Sequence, residues 1–151
     1  MRTKILIIFF LFLANCNYSA IYKKTEVENL MINILSSEGD VEINNYINEE
    51  LRPYTRKNAE KKFDIKIDTN FSKGIISKSS KGKVLNYELS VTSKFIVIYK
   101  NEEKIIILSE KLNIESNKDS FEQKNYEVEI KKNFANSIKE KLVLRLSNIQ
   151  W

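Results

Sequence analysis

The apolar positions of this chain change period several times, and each change marks an element. Leu30, Ile32 and Ile34 alternate with Met31, Asn33 and Leu35, which predicts a strand apolar on one face and mixed on the other. Ser36-Ser37-Glu38-Gly39 ends it. Asp40 then stands as the N-cap of a helix with Val41 in its first turn and Ile43, Ile47, Leu51 and Tyr54 at helical spacing. Pro53 removes an amide donor and crowds the preceding turn, so this helix either kinks there or stops near Leu51.

Period two returns at Phe63, Ile65 and Ile67, set against Lys62, Asp64, Lys66 and Asp68, and predicts a strand with one wet face. The segment NFSKGIISKSSKGKV that follows reads as a loop or as the tips of paired strands. From Leu85 the odd positions Leu85, Tyr87, Leu89 and Val91 are apolar, and Phe95, Val97 and Tyr99 keep that parity after Ser93. Such a strand runs to about 15 residues where 5 or 6 is usual, so a bulge or bend is expected around Ser93. Asn101-Glu102-Glu103 turns the chain into another strand over residues 104–115, with Ile106, Leu108, Leu112 and Ile114 on one face. Ser120-Phe121-Glu122-Gln123 carries a capping-box pattern, and Tyr126, Ile130, Phe134, Ile138 and Leu142 follow it at i+4, joined by Leu146 and Ile149. Glu127 and Lys131 are spaced for a helix-surface pair. The order is βαβββα, an α+β fold with two helices packed on one face of a four-stranded, mostly antiparallel sheet.

One set of residues does not fit that two-layer scheme. Ile96 and Ile98 lie opposite the core parity of their strand, and Ile105 and Ile107 do the same on the next. A turn between the strands brings the four together on the sheet face that the helices leave open. Apolar residues there need a second cover. The helices cover only one side, and either a partner protein or a homo-oligomer would meet that need.

The first fifteen residues belong to a different grammar. Arg2 and Lys4 precede an apolar run from Ile5 to Ala14, followed by Cys16. Ten apolar residues fall short of the roughly 20 that a spanning helix needs, and the basic start with an abrupt polar shift matches a secretory signal. Leu13-Ala14-Asn15-Cys16 resembles the lipobox of bacterial lipoproteins. The resemblance implies cleavage before Cys16 and acylation of that residue, so that lipid holds the chain on a membrane. The expected division is a signal peptide over residues 1–15, a lipidated tether over residues 16–26 and one α+β domain over residues 27–151.

Composition narrows the chemistry. The chain has no histidine and a single cysteine, which excludes a Cys/His metal cluster and an internal disulfide. A nucleophilic serine or cysteine would lack its commonest base. The carboxylates are interleaved with lysines, and the three glycines form no phosphate-binding loop. A non-enzymatic protein without cofactor or metal is therefore expected. The formal charge of +5 favours anionic partners weakly. Lysine supplies most of it in a chain also rich in Ile and Asn, a bias that speaks to genome composition, and export argues against nucleic acid as the partner.

The lipobox cysteine, the order βαβββα, the long central hairpin, and SNKDSFEQ leading into KNYEVEIKKNFANSIKEKLVLRLSNI together resemble LptE, the lipopolysaccharide-assembly lipoprotein family of the outer membrane. The resemblance covers nearly all of residues 16 to 149 and is carried mainly by the part from Tyr87 onward. It implies a lipid-anchored protein on the periplasmic side of the outer membrane that plugs an LptD-type β-barrel, helps it assemble and assists lipopolysaccharide transfer. It also implies a barrel contact for Ile96, Ile98, Ile105 and Ile107. Lys118 corresponds to the family's basic loop before the last helix, with Lys124 its neighbour. Lys81 and Lys83 join them as lipopolysaccharide-binding candidates by charge and loop placement. The alternative is a periplasmic lipoprotein acting as a stand-alone lipid-binding or envelope-scaffolding module.

Overall fold

The computed structural model describes residues 30–55, 59–117 and 119–149. Cys16, the tether and Lys118 lie outside the described residues. Four strands form one sheet: β1 (Leu30–Gly39), β2 (Lys61–Lys78), β3 (Val84–Tyr99) and β4 (Glu102–Glu115), in spatial order β1-β2-β3-β4. Helix α1 (Val41–Leu51) connects β1 to β2, and α2 (Ser120–Ser147) follows β4. The crossover through α1 makes β1 and β2 parallel, whereas both later pairs are antiparallel. The fold is the expected α+β arrangement of two helices and a four-stranded mixed sheet.

Alternation in the strands builds the core. Phe63, Ile65 and Ile67 of β2, Leu89, Val91, Phe95 and Val97 of β3, and Leu108 and Ile114 of β4 are buried on one face. Ile43, Ile47 and Leu51 of α1 and Ile130, Phe134, Ile138, Leu142 and Leu146 of α2 close over them. Helix α1 packs on β1 and β2, and α2 packs on α1 and on β4. Each large apolar side chain fully withdrawn from water contributes about 1.5–3 kcal/mol before the entropy of ordering is subtracted.

Local chemistry sets the boundaries. The Asp40 carboxylate accepts from the Ile43 amide at 2.9 Å and caps α1. At the other end, Pro53 sits in a single 3-10 turn, Arg52–Tyr54, so the α-helix stops at Leu51. Strand β1 does not end at Ser36. It runs on to Gly39 after an irregularity between Ile34 and Ser36, because β2 offers partners as far as Thr69. Strand β2 likewise takes up the first half of the segment that read as loop or strand tips.

The bulge expected at Ser93 is absent. Thr69, Ser93 and Leu108 stand in unbroken register across three strands. The apolar parity never changes on either side of Ser93, and the one buried hydroxyl it places in the core is satisfied by the Thr69 hydroxyl at 3.1 Å. The β3–β4 turn is also tighter than expected. Tyr99 pairs with Glu102, leaving Lys100 and Asn101 as a two-residue loop with φ values of 49° and 70°. Both signs suit a hairpin turn whose twist matches the strands.

Helix α2 begins one residue earlier than the capping-box reading, because Asp119 is the cap. Its carboxylate accepts from the Phe121 and Glu122 amides, while Gln123 turns back to accept from the Asn117 amide at 2.7 Å. The expected Glu127–Lys131 pair does not form either. Glu127 accepts from Lys73 of β2, and Lys131 reaches Glu42 of α1 with its ammonium 4.5 Å from the Phe71 ring centroid. Lys141 pairs with Glu110 of β4 in the same manner. Charges on the flanks of α2 thus fasten it to its neighbours, each such partly exposed pair contributing at most about 1 kcal/mol.

Candidate interaction surfaces

The sheet face away from the helices is built from the even positions of β2 and β3 and the odd positions of β4. Most of it is a polar lattice. Asn33 donates to Asp64 at 2.8 Å, the Ser72 and Ser90 hydroxyls meet at 2.8 Å, Thr92 meets Ser109 at 2.9 Å, and Lys111 donates to Glu88 at 3.3 Å. Near the β3–β4 turn the lattice gives way to isoleucine. Ile96 stands directly opposite Ile105, flanked on β2 by Lys66. The next rank on one side holds Asp68, Lys94 and Ile107, and on the other Asp64, Ile98 and Glu103.

The four isoleucines predicted from parity therefore share one face. Ile96 and Ile98 are partly covered by their neighbours, while Ile105 and Ile107 are 60% and 62% exposed. An apolar centre enclosed by Asp64, Lys66, Lys94 and Glu103 has the composition of a small protein contact, with a desolvated middle and a charged rim. Nothing within the described residues covers it.

The opposite end of the sheet carries the basic candidates. Lys78 ends β2, and Ser79 to Lys83 form a closed turn in which the Ser79 amide donates to the Lys83 carbonyl at 2.7 Å and Gly82 adopts φ of 79°. Lys81 and Lys83 are exposed together on this turn. Lys124 is exposed in the second turn of α2, which starts at that same end, where β4 finishes opposite the beginning of β3. Charge and loop placement found Lys81 and Lys83, and the family resemblance pointed to Lys124, but neither found the apolar residues among them. Ile75, Ile76, Leu85, Phe121 and Tyr126 are all strongly exposed at this end. Tyr126 was expected in the core stripe of α2. It instead borders a shallow cavity of about 670 Å³ with Asn113, Ile114, Ser116 and Gln123, because the first turns of α2 project past the packed part of the core.

Among the described residues no group of three or more carboxylate, cysteine or histidine side chains is placed to hold a metal. No described helix is long and apolar enough to cross a membrane.

The architecture places the chain in a class of small α+β domains with two helices on a βαβββα sheet. No family model matches the chain, and no curated protein matches it in sequence. Solved structures do match in fold, and several of them are lipoproteins. A minor lipoprotein from Acinetobacter baumannii superposes with a TM-score of 0.54 at 11% identity, over 78% of this chain and 92% of that one. Lipoprotein B from Nitrosomonas europaea gives 0.53 at 16% identity, over 85% and 91%. The rare lipoprotein B of Shewanella oneidensis gives 0.48 at 17% identity, over 76% and 90%. At these identities the first two establish a shared fold.

Proposed function

We propose that this protein is a lipid-anchored assembly factor of the outer membrane, attached through acylated Cys16 on the periplasmic side. It plugs and helps assemble an LptD-type β-barrel and assists lipopolysaccharide transfer to the surface. The observation that carries this reading is the exposed isoleucine patch on the open sheet face, framed by charge and distant from the anchored N-terminus in sequence. The charged rim suits the polar interior of a barrel, insertion would cover the isoleucine centre, and the shared fold with lipoproteins agrees with the anchor.

In this reading the two ends of the sheet divide the work. Ile96, Ile98, Ile105 and Ile107 meet the barrel, while Lys81, Lys83, Lys118 and Lys124 meet the phosphates of lipopolysaccharide. Lysine acts there as a point charge on a flexible stem, so recognition is by charge more than by shape. The protein needs no catalytic turnover, metal or cofactor for this role, and its work is binding.

Purification of the full lipidated chain from detergent-solubilised envelopes tests the proposal. Recovery of one large β-barrel in about 1:1 ratio is expected. Combined Lys81→Glu and Lys83→Glu changes should weaken lipopolysaccharide binding while leaving barrel recovery intact. Recovery of the lipidated protein without any barrel would overturn the plug reading and favour a stand-alone envelope-scaffolding or lipid-binding module.

A further inference from the structure

The long β2–β3 hairpin keeps an unbroken register through its middle and loses it near its turn. Ile75 pairs with Tyr87, Ser77 with Asn86 and Lys78 with Val84, so Ile76 is an extra residue on β2 and Leu85 an extra residue on β3. Bulges of this kind re-aim side chains. Both extra residues are large, apolar and half-exposed, at 49% and 46%, and Ile75 beside them is exposed to the same degree. Phe121, 71% exposed at the start of α2, stands at the same end. An apolar band rimmed by polar groups marks a binding surface.

The rim is basic. Lys78 lies two residues beyond Ile76 and Lys83 two residues before Leu85, about 7 Å along each strand, and Lys81 sits between them on the turn. Among the described residues Lys78, Lys81, Lys83 and Lys124 form no salt bridge, while Lys73, Lys131, Lys139 and Lys141 each reach a carboxylate. The turn itself, Ser79 to Lys83, carries no apolar side chain. This order separates two kinds of lipid contact. Pushing the turn into a bilayer would carry ammonium groups into hydrocarbon first, at a heavy cost. A single lipid lying along the hairpin meets charge at the turn and apolar surface behind it.

We infer that this band holds the acyl chains of one lipopolysaccharide molecule, with the phosphates at the lysines of the turn and the chains running back over Ile75, Ile76 and Leu85 toward Phe121. The inference rests on the proposed reading of this end as the lipopolysaccharide site, and it adds the part of the ligand that charge cannot hold. Exposed lysines attract any anion and are screened by salt. Acyl chains on the band withdraw methylene groups from water, so the site favours the acylated molecule over the same phosphates without chains. The band lies at the other end of the sheet from the isoleucine patch, so one copy of the chain engages barrel and lipid together.

The test compares two probes on the full lipidated chain in neutral detergent: lipopolysaccharide, and the same molecule stripped of its acyl chains with its phosphates kept. Combined Ile76→Ser and Leu85→Ser changes should weaken lipopolysaccharide binding about tenfold, with binding of the deacylated probe and barrel recovery both unchanged. Phe121→Ser, at the most exposed position of the band, should act in the same direction, so the outcome does not hang on how well the paired variant folds. Combined Lys81→Glu and Lys83→Glu changes should weaken binding of both probes. Full lipopolysaccharide binding by the serine variants, with loss in the glutamate variant, would overturn the acyl-chain inference and leave the phosphate reading standing. Full binding by all of them would overturn both. Loss of barrel recovery in Phe121→Ser would make the band a protein contact, and capture of the unsubstituted chain by phosphatidylglycerol vesicles, abolished by the same change, would make it a bilayer contact; either result overturns the inference.

Discussion

Gly39→Ala should be among the most damaging single-methyl changes in the domain. Gly39 closes β1 with φ of 88°, and a Cβ placed on it would stand 1.9 Å from the Thr69 carbonyl oxygen and 2.8 Å from the Thr69 carbonyl carbon. That oxygen already accepts from the Asp40 amide at 2.7 Å, directly before α1. The backbone of β2 would have to move, since no flexible side chain is there to yield. An L-residue in the left-handed region costs about 1–2 kcal/mol. Displacing Thr69 adds about 1–3 kcal/mol of overpacking and about 0.5–1.5 kcal/mol for the lost hydrogen bond. The sum is about 3–6 kcal/mol, a large part of the roughly 5–15 kcal/mol that holds an ordinary domain. Urea unfolding followed by circular dichroism reads this directly, with an expected fall in midpoint of about 2 M. Gly82→Ala is the matched control, because Gly82 shares the positive φ at 79° but has open space around the added methyl. It should lose only about 1–2 kcal/mol. If Gly39→Ala cost no more than Gly82→Ala, the close approach of β1 and β2 would be wrong.

Other expectations follow from single contacts. Ser93→Ala strands the buried Thr69 hydroxyl and should cost about 1–3 kcal/mol by urea unfolding, whereas adding Thr69→Val should recover much of that loss. Asp119→Ala removes the acceptor for two amides at the start of α2 and should cost about 1 kcal/mol, with Ser120→Ala nearly silent. Burial, together with the Glu42 carboxylate to which its hydroxyl donates, raises the Tyr46 pKa above its ordinary value near 10. An unfolded chain releases that proton first, so the contribution is whole below pH about 10 and is lost as pH climbs through the raised value. Tyr46→Phe should accordingly flatten the alkaline limb of a stability profile measured between pH 8 and 11.

Strands were legible in the sequence wherever one face is buried and the other wet, because period two then records burial. Phe63 to Ile67 and Leu89 to Val97 show this. Parity also found the open-face isoleucines, since a residue on the wrong side of a strand is visible without knowing what covers it. Where elements end was less legible. Asp119 and Ser120 are both good caps, and the choice between them depends on how Asn117 folds back onto Gln123. The partners of Glu127 and Lys131 come from β2 and α1, far away in sequence, which helix spacing cannot register. Tyr126 keeps the spacing of the α2 core stripe but lies beyond the reach of the packed sheet, and spacing alone carries no information on where a core stops. Length misled at Ser93, where a long strand suggested a bulge that an unchanged parity argued against.

Partner binding at the open sheet face is tested most directly by measuring capture and stability on one protein. Combined Ile96→Asp and Ile105→Asp changes place two carboxylates at the centre of the patch, where Ile105 is already 60% exposed and the buried core lies on the other side of the sheet. Barrel recovery from detergent-solubilised envelopes should fall at least about tenfold, the effect of roughly 1.4 kcal/mol or more at an interface, while the urea midpoint of the same protein stays close to that of the unsubstituted chain. Unchanged barrel recovery, or a loss of stability that matches the loss of recovery, would contradict the assignment of this face to a partner.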